Sequence, residues 1–529
     1  RSLVGSEMCI RDRNNSHRQY LTGQLIAEYK GVFGKHDINV LGGWSAEENL
    51  YEDLQGKRTN IVGNELPALN LGDTDGWSNA ADENEWALLS GFMRASYAFA
   101  AKYLVEVNFR ADASSRFSKK NRWGVFPSAS VGWRITEEKF MQNQHIFDNL
   151  KLRASWGQLG NQNGLGLYDH IASYNINGYY PFKSELGQWA VISKLPSESR
   201  TWETVEVKNI AVDMAFLRNR LTVTGEYFIK KNKDMLVSIE IPSIIGIDVP
   251  TGNYGELKVK GWEVTVGWQD KIKDFSYGAR FNLSDQKDKL VDYGVEYNGF
   301  VAGVNQKVQG YSLGSIFGYR TDGYFTSEEE VKNSAAFNKA ITGVGDIKYI
   351  DKDGDGKISA PNDLEYLGTT TPRYTFGLNL TAAWKGFDLG VLLQGVGKRN
   401  FYLSSEVMNP YYATWNNFSY KMHNDYWTPE NPNAAFPRYY AGANHNYQIS
   451  DHWLQNAAYV RLKNLQLGYT ISPKLTKSWG IQRLRVYFSG DNLCEYSKLN
   501  DNFDPELSNI NGYVYPIMRN FSFGINVTL

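Results

Sequence analysis

From His17 onward the dominant pattern along the chain is strict alternation. Tyr374, Phe376, Leu378, Leu380, Ala382 and Trp384 fall on one face of an extended backbone; Thr375, Gly377, Asn379, Thr381 and Ala383 fall on the other. The same period of two recurs in Tyr103, Val105, Val107 and Phe109 against Glu106, Asn108 and Arg110. It recurs in Leu150, Leu152, Ala154 and Trp156 against Lys151, Arg153 and Ser155, and in Leu221, Val223, Tyr227 and Ile229 against Thr222, Thr224, Glu226 and Lys230. The chain closes on Phe521, Phe523, Ile525, Val527 and Leu529, interleaved with Ser522, Gly524, Asn526 and Thr528. Successive side chains of a strand point to opposite sides, so each stretch predicts a strand with one apolar and one polar face. About fifteen strands can be counted by this rule. The phase breaks once, where Val460 and Leu462 are out of step with Leu465, Leu467 and Tyr469; a bulge or a change of environment is expected there.

Two architectures use such strands. A soluble sandwich turns the apolar face into a core, whereas an outer-membrane barrel turns it toward lipid and keeps a polar lumen. Loop length separates them. Connections near 31–35, 98–102, 215–220, 270–274 and 385–388 are short, with somewhat longer ones at 135–149 and 472–482. Between them fall long polar segments at 48–85, 159–199, 288–371, 401–455 and 497–515, and shorter ones at 112–123 and 231–255. Short and long alternate along the whole chain, as they do in a barrel with tight turns at one rim and large loops at the other. Tyr, Phe and Trp at the ends of many apolar faces fit aromatic girdles at the two membrane interfaces.

Composition narrows the class further. The 529 residues hold 56 Lys+Arg and 57 Asp+Glu, a net charge of −1, which gives no electrostatic case for nucleic-acid binding. Aromatics make up 14%, too many for a disordered chain. No apolar run approaches the roughly 18–20 residues of a membrane helix, which leaves a membrane barrel open. Cys9 and Cys494 make no disulfide framework. Residues 1–13, RSLVGSEMCIRDR, lack alternation and turn chemistry; they resemble adapter or vector sequence and are set apart as a probable non-native segment. No signal peptide is recognisable and the first residue is not Met, so a fragment is expected.

Several segments resemble the C-terminal barrel of SusC/RagA-type TonB-dependent outer-membrane transporters. They include YLVEVNFRADASSRFSKKNRWGVFPSASVGWRITEEKF (Tyr103–Phe140), LKLRASWGQLGNQ (Leu150–Gln162) and TWETVEVKNIAVDMAFLRNRLTVTGEYF (Thr201–Phe228). GNYGELKVKGWEVTVGW (Gly252–Trp268), the stretch Gly345–Tyr402, YVRLKNLQLGYTIS (Tyr459–Ser472), the region Asp491–Glu506 and the final MRNFSFGINVTL complete a collinear set. The resemblance implies an all-β, transmembrane antiparallel β-barrel in which residues 14–529 supply about the last fifteen strands of a 22-stranded barrel, with long extracellular loops. The plug domain, the TonB-contacting box and the signal peptide of that family have no counterpart here. The terminal residue also departs, since members usually end in an aromatic and this chain ends in Leu529. The implied function is active import of a nutrient across the outer membrane of a Gram-negative bacterium. The resemblance makes an oligosaccharide the expected ligand and a peptide the second choice. A SusD-like surface lipoprotein would lid the barrel, and TonB-ExbB-ExbD would act through the N-terminal part. No bond in the ligand is made or broken, so no enzyme is expected.

The sharpest chemical motif is Asp351-Lys-Asp353-Gly-Asp355-Gly356-Lys357. Carboxylates at alternate positions can converge on Ca²⁺, with the Lys357 carbonyl as a further ligand, and the spacing resembles an EF-hand loop. Asn362 stands where the twelfth-position Glu is expected, so Asp363 is the substitute. The ion would be structural, stiffening a long loop. A solvated Asp/Gly turn fits the same residues. Gly310-Tyr-Ser312-Leu-Gly314 matches the nucleophile-elbow pattern, but its loop context lacks the strand, helix and partner residues that chemistry needs. The segment 401–453 is dense in aromatics, and Tyr411, Tyr412, Trp415, Tyr426 and Trp427 are candidates for stacking on a sugar ring. Loop-on-loop packing is the plainer reading of that density. A secreted all-β glycan-binding or glycan-degrading protein and a passive porin are the alternative functions.

Overall fold

The computed structural model describes residues 11–61, 68–182, 185–238, 244, 251–294, 300–411, 420–440, 442–507, 515 and 517–529. Among them, fifteen strands form one sheet whose order follows the chain. These are β1 (Arg11–Phe33), β2 (His36–Arg58), β3 (Ser78–Phe99), β4 (Tyr103–Ser114), β5 (Trp123–Arg134), β6 (Phe147–Asn161), β7 (Glu203–Phe216) and β8 (Leu221–Val237). They continue as β9 (Gly252–Ile272), β10 (Phe275–Asp292), β11 (Arg373–Trp384), β12 (Phe387–Lys398), β13 (Tyr459–Thr470), β14 (Arg483–Ser497) and β15 (Asn520–Thr528). The count agrees with the alternation. The tight turns fall where expected: Lys385 and Gly386, both at positive φ, form the two-residue hairpin between β11 and β12.

The chain divides into two compact units. One comprises Arg1–Val131, Ser155–Glu206 and Asn232–Tyr254; the other comprises Gly132–Ala154, Val207–Lys231 and Gly255–Leu529. In the first unit β1 and β2 pair antiparallel over their full 23 residues, from Arg11 opposite Arg58 to Phe33 opposite His36. This is about twice the length needed to cross a bilayer. The long polar segment expected over 48–85 therefore shrinks to 59–77, because strand continues to Arg58 and resumes at Ser78. Likewise β1 starts at Arg11, inside the segment set apart from the fold, and residues 1–10 lie outside the described residues. Both faces of these extensions are polar, so alternation carries no signal although the backbone is still laddered. A hairpin inside the 162–202 loop, Ser173–Phe182 with Glu185–Lys194, also escaped the sequence reading.

In the second unit the two faces of the sheet are chemically opposite. Thr222, Thr224, Thr265, Ser276, Asn379, Thr381 and Gln466 line a concavity of about 1030 Å³. The alternate residues stand bare on the other face: Phe523 is 84% exposed and Ile525 67%. A sandwich would bury that face; among the described residues it has no protein partner, as a lipid-facing belt requires. Cross-strand ion pairs lace the polar face. Arg153 donates to both oxygens of Asp213, at 2.6 and 3.1 Å, and Arg485 reaches across β13 to Asp388. The broken phase at 460–465 is a bulge. The register shifts between Leu462 and Asn464, so Lys463 and Asn464 both bond toward the polar side, Lys463 to Glu506 and Asn464 to Asp491.

No helix among the described residues is long and apolar enough to cross a membrane. The lipid-facing assignment predicts an asymmetric response to charge. Leu467→Arg, on the bare face of β13, should cost about 2–4 kcal/mol of folding stability in vesicles, whereas Thr381→Arg on the polar face should cost little. The folded fraction recovered in lipid vesicles, read as heat-modifiable gel mobility, tests this; equal losses would reverse the assignment of faces.

Candidate functional site

The largest buried core lies in the loops. The connection between β10 and β11 folds into a three-stranded sheet (Gly303–Gln306, Ser315–Tyr319, Leu364–Thr369), a strand pair (Thr321–Tyr324, Ile347–Tyr349) and a helix, Glu328–Asn333. The connection between β12 and β13 adds the strand pair Asn400–Tyr402 and Leu454–Asn456. Tyr319, Ile347, Leu364, Phe401, Val407 and Trp453 are buried together at their junction, and a bridge between Tyr319 and Ser450 ties the two connections. Leu499 and Phe503, from the connection before β15, join the same cluster. Three long loops are thus one body with its own core, as long ordered loops require.

Two polar clusters fasten that body. Asp346, fully buried, accepts from Gly343 N at 2.8 Å, Tyr440 Oη at 2.9 Å, Asn446 Nδ2 at 2.9 Å and His445 Nε2 at 3.0 Å. Its carboxylate therefore joins segments a hundred residues apart. Arg461, also buried, pairs with Glu495, with Asp504 at 2.7 Å and with Glu506 at 2.9 Å. Lys463 bonds Glu506 at 2.8 Å, while Arg399 donates to the carbonyls of Pro505 and Leu507 at 2.5 and 2.7 Å. Cations from both ends of the β12–β13 connection so grip the acidic segment 504–507. Sequence reasoning missed both clusters, because their members are far apart in the chain and each looks like an ordinary charged residue.

Of the aromatic candidates, Tyr411 and Tyr426 are exposed and share one neighbour. Their ring centroids lie 5.8 and 5.4 Å from that of Tyr439. Trp427 is different: it packs against Gly345, whose φ of +90° leaves no room for a side chain, since a Cβ there would fall 2.3 Å from the indole. Its ring is half-buried against that backbone. Tyr412 and Trp415 lie outside the described residues. The density of aromatics at 401–453 is thus largely loop-on-loop packing, with Tyr411 and Tyr426 on its rim.

The acidic loop is compact. Asp351, Asp353 and Asp355 each offer a carboxylate oxygen within 4.8 Å of the others. Gly354 and Gly356, at φ of +76° and +83°, permit the sharp turns, and Asp351 accepts from both of their N–H groups at 2.7 Å. Lys357 N donates to Asp355 at 2.8 Å. Asp363 is buried and braces the loop, accepting from Lys352 N and Ser359 N at 2.7 Å each. Ser312 of the elbow-like pattern bonds Asp288 at 2.5 Å, with Thr369 and Thr371 at 3.5 Å. It anchors the loop to the end of β10, and its hydroxyl is engaged by a carboxylate and two threonines.

Residues 10–493 match the family described as TonB dependent receptor-like, beta-barrel. The chain belongs to this family. It is 30% identical over 530 residues to TonB-dependent receptor P26 of Formosa agariphila, covering 95% of this chain and 52% of that protein. To TonB-dependent receptor SusC of Bacteroides thetaiotaomicron it is 28% identical over 463 residues, covering 83% of this chain and 43% of that protein. The chain spans about half the length of the curated relatives it matches. Among solved structures, that of the RagAB peptide transporter superposes with a TM-score of 0.82 at 24% identity, over 98% of this chain and 56% of that one. The fold of this TonB-dependent receptor barrel is therefore the SusC/RagA-type barrel fold.

Titratable groups in the loop body follow their surroundings. Glu330 is pushed down to about 2, first by the Thr326 backbone N–H it accepts and then by Lys348. Burial pushes His423 and His452 below the ordinary histidine range. His423 Nε2 donates to Val407 O at 2.8 Å, and Nδ1 accepts from Tyr420 N at 3.0 Å, so the neutral ring pins both segments. Below the ordinary pKa of about 6.5 the unfolded chain takes up a proton that the folded loop refuses. Stability contributed by His423 is therefore present at pH 7 and lost as pH falls from about 6.5 toward the depressed folded value. The protection factors of amides at 407–409 and 420–425, corrected for the base-catalysed intrinsic rate, should fall between pH 7.5 and 5.5, and His423→Gln should flatten that dependence. A pH-independent protection factor in the unsubstituted receptor would remove His423 from this role.

Proposed function

We propose that this chain forms part of an outer-membrane active importer that takes up an oligosaccharide. The observation that carries the reading is the division of labour in the fold: a lipid-facing sheet with a polar inner wall, crowned by one fused, aromatic-rimmed loop body. In this reading the barrel is passive. Its wall holds a plug, and the loop body offers Tyr411 and Tyr426 to ligand beside a SusD-like lipoprotein lid. TonB-ExbB-ExbD, driven by the inner-membrane proton gradient, opens the path by pulling on the plug. A peptide ligand is the second reading, supported by the fold shared with the RagAB peptide transporter. Calorimetry on the complete receptor–lipoprotein complex tests the ligand class. Oligosaccharide should bind, and Tyr411→Ala or Tyr426→Ala should weaken it about three- to ten-fold, the range expected for one aromatic face. Binding of peptides alone would overturn the ligand class, and undiminished uptake in cells lacking TonB would overturn the mechanism.

We infer that the loop from Asp351 to Asp363 takes Ca²⁺ in a structural role. Asp351, Asp353, Asp355 and the Lys357 carbonyl would be the ligands, with Asp363 completing or bracing the shell; the three converging carboxylates support this. Oxygen-only donors of net negative charge suit Ca²⁺ over softer metals. Titration should give a Kd of about 10⁻⁴–10⁻³ M, as for extracellular calcium modules. Asp353→Asn should weaken it, and chelation should speed proteolysis within 351–363. Identical proteolysis with and without Ca²⁺ would mean a solvated acidic turn.

A further inference from the structure

The turn between β13 and β14 is built differently from the tight hairpins of the same unit. Pro473–Thr476 forms one helical turn and Lys477–Trp479 a 3₁₀ turn, closed by Gly480 at φ +72° and by Ile481 N donating to Thr476 O at 3.1 Å. Ile471 N bonds Leu484 O at 2.9 Å, Gln482 N bonds Thr528 O at 2.8 Å, and Thr470 N bonds Gly386 O at 2.7 Å. This small cap is thus fixed to the feet of β12, β13, β14 and β15. It buries Thr476 and yet leaves Leu475 59% and Trp479 62% exposed. Among the described residues nothing covers these two large apolar side chains, which the cap holds outward.

The same four strands carry a groove on their bare face, of about 670 Å³. Its lining runs in two register rows: Phe387, Tyr469, Val486 and Ile525, then Leu467, Phe488 and Phe523. Cations gather at the foot of the strands that carry it. Lys385 lies 5.5 Å from the centre of the Trp384 ring, and Lys474 and Lys477 are exposed on the cap. Residues 470–484 contain no Asp or Glu. Arg483 has the parity of Arg485, which is turned to Asp388 on the polar face, so Arg483 is not counted with them.

We propose that the foot of β12–β15 and its cap form a seat for one anionic glycerophospholipid of the leaflet that faces the short turns. The groove takes an acyl chain. Trp479 and Leu475 sit at headgroup depth, where an indole can bury its ring and keep its N–H wet. Lys385, Lys474 and Lys477 hold the phosphate and the negative headgroup, their stems lying on apolar surface and their ammonium groups reaching the interface. A zwitterionic lipid fits the groove equally well but leaves three ammonium groups without a net countercharge. The seat therefore discriminates by headgroup. The proposal rests on the lipid-facing assignment of the sheet.

The test uses the complete receptor, delipidated in detergent, and native mass spectrometry with phosphatidylglycerol and phosphatidylcholine of equal chain length. The unsubstituted receptor should retain phosphatidylglycerol preferentially. A Lys near an anionic surface contributes about five-fold in affinity, so the combined K385Q, K474Q and K477Q variant should lose about ten-fold or more of that lipid while holding phosphatidylcholine unchanged. A second variant, L475S with W479S, should lower retention of both lipids. Equal retention of the two lipids by the unsubstituted receptor, or unchanged retention by the lysine variant, would overturn the seat. Absence of heat-modifiable mobility in the unsubstituted receptor would overturn the lipid-facing assignment itself, and the two failures are read on separate gels and spectra.

Discussion

Backbone N–H and C=O groups that face hydrocarbon can bond only to one another. That constraint shapes every strand of the sheet. Hydrogen bonds run from strand to strand in chain order, and each strand can then afford to show lipid nothing but apolar side chains. The usual arrangement of a soluble protein is inverted as a result. The most apolar rows, such as Phe523, Ile525 and Val527, are the exposed ones, and the polar rows of Thr, Ser and Asn line the concave side. Charges on that inner side are matched across strands, Arg153 with Asp213 and Arg485 with Asp388, which limits the cost of holding them away from bulk water.

With the sheet's apolar face given to lipid, the hydrophobic core has to be made elsewhere. It is made in the loops. Trp453, Val407, Ile347 and Leu364 are almost wholly buried although they belong to connections and not to the sheet. The core alone does not explain how three connections become one body. Asp346 and Arg461 do that, each satisfying groups from distant segments inside a low-dielectric setting where the bonds are strong and hard to replace. A body braced in this way can present Tyr411, Tyr426 and the 351–363 loop in fixed positions, which is the property a binding surface needs.

The two ends of the strands therefore face different problems. At one end, long connections build a surface that can discriminate ligands. At the other, tight turns return the chain with minimum exposure, and a larger cap, at 471–482, places Trp479 and Leu475 outward instead of folding them in, as the longer connection at 135–146 does with Phe140 and Ile146. Family membership assigns the sheet to the outer membrane, and that gives the bare belt, the capped foot and its cations a single solvent to answer to.

Side-chain parity is written residue by residue, so the sequence by itself determined the strands that have one apolar face, their number and the alternation of short and long connections. The spacing of Asp351, Asp353 and Asp355 was equally legible, being local, and the residues do converge. Collinear resemblance supplied the family. Alternation failed where both faces are polar, which hid the outer halves of β1 and β2. The hairpin at 173–194 was hidden for another reason: it carries apolar residues on both faces, Tyr179 beside Tyr180 and Val191 beside Ile192, and its register shifts at Ser173/Tyr174 and Asn175/Gly178. Only the tertiary structure decided which aromatics are core and which are rim. Trp427 and Tyr426 are adjacent in sequence, yet one is packed on Gly345 and the other is exposed. It alone brought Arg461 to Asp504 and Asp346 to His445, because pairing across forty to a hundred residues depends on how strands register and loops fold back, and no local pattern encodes that.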